Sequence, residues 1–126
     1  MKRWIFVIRD SDEEFERRVV SKKWPIFNRT RYKKELGIGD VVLFYKEGLK
    51  GQKFLGTGKI KSGLVEETKF KDYLEMEEIS VLATPVEMKD VIKKLDFVKN
   101  KDNWGNYFQG GVRRISEEDF SVIIRK

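Results

Sequence analysis

An α+β domain built round a small curled barrel is what this 126-residue sequence predicts, and three observations carry the prediction. Residues 39–63 read as two strands joined by one polar loop, with glycines inside the second strand, where a sheet bends. Met88, Val91, Ile92 and Leu95 recur at i, i+3, i+4 and i+7, the spacing of an amphipathic helix. The length suits one domain, residues 1–126, that buries its core without disulfides or metal.

Taken in order, Trp4 to Ile8 is apolar on both faces and short, a buried strand ended by charge. Asp10, Ser11 and Asp12 offer an N-cap, with Glu13 and Glu14 in the first turn, where the helix dipole favours carboxylates. Phe15 and Val19 then face the core from a helix running to about Lys23. Pro25 limits that helix, because the residue before a proline is pushed out of the helical region. The next stretch, Trp24 to Tyr32, reads as a loop. It interleaves Trp24, Phe27 and Tyr32 with Asn28, Arg29 and Arg31, and so supplies either stacking planes beside phosphate partners or aromatics for the core. Tyr32 to Leu36 forms a short helical turn closed by Gly37.

In the central strand Val41, Leu43 and Tyr45 alternate with Val42 and Phe44, so both faces are apolar. A two-glycine turn at 47–53 leads into the second strand, where Phe54, Gly56, Gly58 and Ile60 share a face. Those glycines serve either barrel curvature or the close approach of a planar ligand. Residues 66–75 read as an exposed loop with a helical turn around Phe70, Tyr73 and Leu74, and Ile79, Val81 and Ala83 make a strand that stops before Pro85. The helix of Met88 to Leu95 follows, its other face of Lys89, Asp90, Lys93 and Lys94 solvated. Residues 100–111 hold Trp104, Tyr107 and Phe108 among asparagines and glycines, aromatics that fold over the core or line a pocket. Val112 to Ile115 is a last short strand, and Ser116 to Asp119 is a capping signal for a helix burying Phe120, Ile123 and Ile124.

Composition narrows the chemistry. With no histidine and no cysteine, the usual zinc sites, Ser-His-Asp and Cys-His nucleophiles and the commonest general base near neutral pH are excluded. No cofactor and no metal are expected. There is no run of about 18 apolar residues for a membrane span, and charge comes too early for a secretory signal, so a cytoplasmic protein without a membrane partner is expected. The 27 Lys and Arg outnumber 21 Asp and Glu, for a formal charge of +6. Between Arg17 and Lys34 there are eight basic residues and no acidic one, whereas residues 66–78 are acidic. Such polarity predicts either a protein that meets phosphates on one side or a solvated basic face. GIGD at 37–40 precedes a strand, so it is no phosphate-cradling fingerprint, which follows one.

Several features share an order and spacing: Trp4 heading the first strand, the basic aromatic segment after the first helix, GDVVLFY at 39–45, LGTGKI at 55–60 and WGNYFQGGVRRISEEDF at 104–120. Together they resemble an EVE domain of the PUA-like superfamily, related to YTH and ASCH domains. The resemblance covers nearly the whole chain and is most specific at 39–45 and 104–120. It implies a PUA-like fold, a strongly curved, mostly antiparallel β-barrel flanked by helices. It also implies a non-enzymatic module that binds nucleic acid, RNA or DNA, and reads a methylated base flipped into an aromatic pocket. By position that pocket falls to Trp4, Trp24, Asn28, Tyr45 and Phe108, with Arg29, Arg31, Lys33 and Lys34 as a basic rim for phosphates. Asn28 either reads the base edge or is a turn residue bonding its own backbone. Two rival readings remain open. One is an ASCH-like RNA-processing nuclease using Tyr45, Lys59 and Asp40; the other is a regulatory domain with a small molecule in the pocket.

Overall fold

A computed structural model describes residues 1–9, 11–48, 51–69, 71–99 and 111–125. In chain order these form β1 (Arg3–Ile8), α1 (Asp12–Ser21), β2 (Lys23–Phe27), β3 (Val41–Lys46), β4 (Lys53–Ile60), β5 (Val65–Thr68), β6 (Lys71–Glu87), α2 (Met88–Val91), β7 (Val112–Ile115) and α3 (Glu117–Ile124), with 3-10 turns at Lys33–Glu35 and Ile92–Lys94. The strands make one curled sheet in the order β2-β6-β4-β3-β1-β7, with β5 also paired to β6. Only the β1–β3 pair is parallel among these ladders. A parallel pair needs a crossover, and α1 with β2 supplies it. The edges β2 and β7 approach one another without pairing, so the barrel has an open seam.

Strand parity divides the core in two. Even positions of β1 and β3 (Trp4, Phe6, Ile8, Val42, Phe44) fill the inside of the curl with Trp24, Ile26, Leu74 and Met76, and Phe15 of α1 closes one end. Trp24 stacks on Phe44 at 4.9 Å between centroids, with Phe6 at 5.8 Å and Phe15 at 6.4 Å. Such pairs add about 0.5–1.5 kcal/mol each beyond their buried area. Odd positions (Ile5, Val7, Leu43, Tyr45) form a second core under Met88, Val91, Ile92, Leu95 and Ile123.

Two buried carboxylates fasten this frame. Asp40, 4% exposed, accepts the Lys2 N–H, the Trp4 indole N–H and the Gly37 N–H, each at 2.9 Å, and so ties the start of β1 to the start of β3. Asp119 accepts the N–H groups of Asp96 and Phe97. Those donors are thereby withdrawn from any longer helix. The expected helix of Met88 to Leu95 is divided into α2 and a 3-10 turn, although all four of its apolar residues are buried as the spacing predicts. Ser11 and Ser116 cap α1 and α3 as expected; Asp10, also named for the first cap, lies outside the described residues. Ile124 is 41% exposed rather than buried, because Ile123 takes the inward position at the end of α3.

Four further expectations are corrected. The helix ends at Ser21 on a left-handed Lys22, and Trp24 lies not in a loop but in the strand β2. The Met76 N–H donates to the Lys22 carbonyl, so even positions make the β2–β6 bonds and Pro25 points its missing donor off the sheet. The supposed loop at 66–75 is a hairpin of β5 and β6 that carries the acidic residues as an edge; Phe70, where a helical turn was expected, lies outside the described residues. Pro85 does not stop β6, because residues 82–85 bulge opposite Leu55 and owe β4 no ladder bond. Leu55, an extra residue of β4 with no partner on β3, puts Phe54 on the opposite face from Gly58 and Ile60. No helix among the described residues is long and apolar enough to cross a membrane.

Candidate functional site

The open seam holds a cleft of about 470 Å³. Its floor is Trp24 with Ile26, one wall is the end of β1 and the start of β7 (Val7, Ile8, Gly111, Val112), and the other is Pro25, Phe27, Arg29 and Thr30. Arg9 and Arg18 complete the lining, so three arginines and no carboxylate face the space among the described residues. Each cation has a local origin. Arg9 follows the last residue of β1, where the sheet ends, and pairs with Glu47 at 2.6 Å. Arg18 stands one helical turn beyond Glu14 on α1, bonds it at 3.3 Å, and lays its guanidinium 4.6 Å from the Trp24 ring centroid. Because Phe44 occupies one face of Trp24, Arg18 takes the other. Arg29 is exposed and meets no carboxylate among the described residues.

The sequence-predicted residues are only partly brought together. Trp24 and Arg29 line the cleft. Trp4 shares the interior with Trp24, but it is 1% exposed and its indole N–H is held by Asp40, so it is a core residue away from the cleft. Tyr45 packs on Phe54 at 4.9 Å in the core on the other side of the sheet, and one pocket cannot hold it with Trp24. The Asn28 amide donates to the Lys69 carbonyl at 2.8 Å; it braces the loop after β2 against the β5–β6 turn. Phe108, with Trp104 and Tyr107, lies outside the described residues. Of the remaining rim, Arg31 stacks beside Tyr32 at 5.3 Å, Lys33 reaches Asp72 at 4.0 Å and Lys34 is exposed. The acidic hairpin thus runs directly beside the basic stretch and offsets part of it, rather than standing on a separate side of the molecule.

Arg9, Arg18 and Phe27 are cleft residues that the site reading of the sequence did not select. Arg18 carries a signal, its i,i+4 spacing from Glu14 one turn before an aromatic strand, whereas Arg9 has none until the strand order is known. The residues of the nuclease reading are separately engaged. Asp40 is bound by three N–H groups, Lys59 pairs with Glu78 at 3.1 Å, and Tyr45 is buried. No group of three or more carboxylates able to hold a metal ion occurs among the described residues.

The sequence profile described as the EVE domain matches residues 2–126. No curated protein matches the chain in sequence. Among solved structures, human THYN1 in complex with DNA containing 5-methylcytosine is similar at a TM-score of 0.70 and 9% identity, over 99% of this chain and 96% of that one. The YTH domain of Zygosaccharomyces rouxii MRB1, in complex with N6-methyladenosine RNA, is similar at 0.64 and 16% identity, over 98% and 85%. The N-terminal domain of Staphylothermus marinus McrB is similar at 0.72 and 10% identity, over 98% and 93%. At these identities the likeness is one of fold, and the fold is PUA-like.

Proposed function

The chain belongs to the EVE domain family, and from that premise we propose that it is a non-catalytic nucleic-acid-binding module that takes a methylated base into the seam cleft. The observation that carries this reading is the cleft itself, an aromatic floor at Trp24 ringed by Arg9, Arg18 and Arg29 with no carboxylate among its described lining. A base extruded from a strand loses its stacking partners and regains them against an aromatic face, and an added methyl group gains apolar contact there. The volume lies within the ordinary range for small-ligand sites, roughly 300–1,000 Å³. Structural neighbours crystallised with methylated DNA and with methylated RNA support the class of ligand without choosing between the two.

In this reading Trp24 is the stacking face, Arg29 and Arg31 contact phosphates, and Arg18 yields its place over Trp24 to the base. Each phosphate contact adds affinity that salt weakens and sequence does not alter. Competition binding with methylated and unmethylated oligonucleotides tests the proposal. Trp24→Leu, which removes the ring but keeps an apolar side chain, should abolish the preference for a methylated base in protein shown by circular dichroism to remain folded. Arg29→Ala should weaken all oligonucleotides alike and reduce the slope of log affinity against log salt by about 1. Equal competition by methylated and unmethylated strands with the unaltered protein would sink the base-reading claim.

A further inference from the structure

Beyond the cleft, the seam continues to a second aromatic group that the base-reading role leaves unused. Tyr32 is 41% exposed and is held at φ +60°, a left-handed backbone that a bulky residue adopts only under constraint from its surroundings. Its ring lies 6.2 Å from that of Trp4. Three cations gather round the pair: Arg31 at 5.3 Å from Tyr32, and Arg114 and Lys2 at 5.7 and 5.9 Å from Trp4. Lys2 also pairs with buried Asp40, whereas Arg31 and Arg114 meet no carboxylate among the described residues. A core aromatic would be covered; this one is turned outward at a strained residue among positive charges.

Its position relative to the cleft follows from register. Val112 lines the cleft, and Arg114, opposite Trp4, is the next residue of β7 on the same face. Two residues of strand advance about 7 Å, a step on the scale of one nucleotide. On the other lip, Thr30 lines the cleft and Tyr32 stands two residues on.

We infer that Tyr32, flanked by Arg31 and Arg114, is a second stacking site, which holds the nucleotide next to the one in the cleft. The inference rests on the base-reading proposal and deepens it: the ligand is a short single-stranded segment lying along the seam, not an isolated nucleotide. Exposed aromatics with neighbouring arginines are how sequence-tolerant single-strand sites hold successive bases.

The test compares a mononucleotide with a tetranucleotide of the same preferred base, by titration at fixed salt. With the unaltered protein the tetranucleotide binds more tightly. Tyr32→Gly removes the ring while suiting the left-handed backbone, and should weaken the tetranucleotide about tenfold, leaving the mononucleotide unchanged. Tyr32→Phe keeps the ring and should bind both as the unaltered protein does. If Tyr32→Gly binds the tetranucleotide undiminished while Arg29→Ala weakens both ligands, the second site is wrong and the cleft stands. If neither ligand binds the unaltered protein, both proposals fall together.

Discussion

Gly56→Ala is expected to destabilise the protein by about 3 kcal/mol or more, toward the upper end of overpacking costs, through a collision with backbone. A Cβ at Gly56 would stand 2.3 Å from the Ser80 carbonyl oxygen and 3.0 Å from the Val81 Cα, atoms of the neighbouring strand that no rotamer change can move. Gly58 is the control, because its Cβ would meet the Phe44 and Met76 side chains at 3.2 and 3.4 Å. Those side chains can shift, and Gly58→Ala should cost only about 1 kcal/mol. Chemical denaturation followed by circular dichroism separates the two. Equal midpoint shifts would mean that the close approach of β4 to β6 is not what Gly56 provides. The glycines of β4 therefore answer the question the sequence left open in favour of the sheet: they meet protein atoms, and neither lines the cleft.

Asp40→Asn should cost about 3 kcal/mol at neutral pH, since a carboxylate that satisfies three buried donors is replaced by an amide that presents donors of its own. Burial raises the Asp40 pKa, but the N–H of Lys2, the Trp4 indole, the N–H of Gly37 and the Lys2 charge together outweigh it and hold the carboxyl below its ordinary value. The native state thus binds fewer protons than the unfolded chain in this window. Its contribution is complete above the unfolded value of about 4 and is lost as pH falls through the lower folded value. The gap in stability between the unaltered protein and Asp40→Asn should accordingly be widest at pH 7 and close on acidification. A gap that stays constant into strong acid would show that shape, not charge, makes Asp40 indispensable.

Much of the frame was legible because its signals are local. β1 and β3 are apolar on both faces, the two serine caps announce α1 and α3, and the four apolar residues before Asp96 are buried as their spacing requires. What stayed hidden depends on partners distant in sequence. β2 and β5 are edge strands: in β2 the alternation of buried Trp24 and Ile26 is masked by Pro25 between them and by an outward Phe27, and β5 carries carboxylates with no buried face. The bulge at Leu55 has no local signature, yet it reverses the face on which Phe54 lies. The site divides in the same way. Trp24 and Arg29 are close in sequence and meet in space, but Trp4 is claimed by Asp40, 36 residues away, and Tyr45 is turned from the cleft by the parity of its own strand.

The seam also bears on how this chain behaves in the company of its own copies. An unclosed sheet offers its border strands to any extended segment nearby, and identical molecules are the commonest source of one. On β2 that invitation is withdrawn. Pro25 has no hydrogen to give, the Phe27 N–H is occupied by the Thr30 hydroxyl and the Lys23 N–H by the Ser21 hydroxyl, so the outward row consists of acceptors alone. A visiting strand would find no donors there and could make only half of the ladder, so pairing through this border is weakened. The β2 lip of the groove is thus a poor template for a sister strand, and stays accessible to a ligand that relies on stacking and charge.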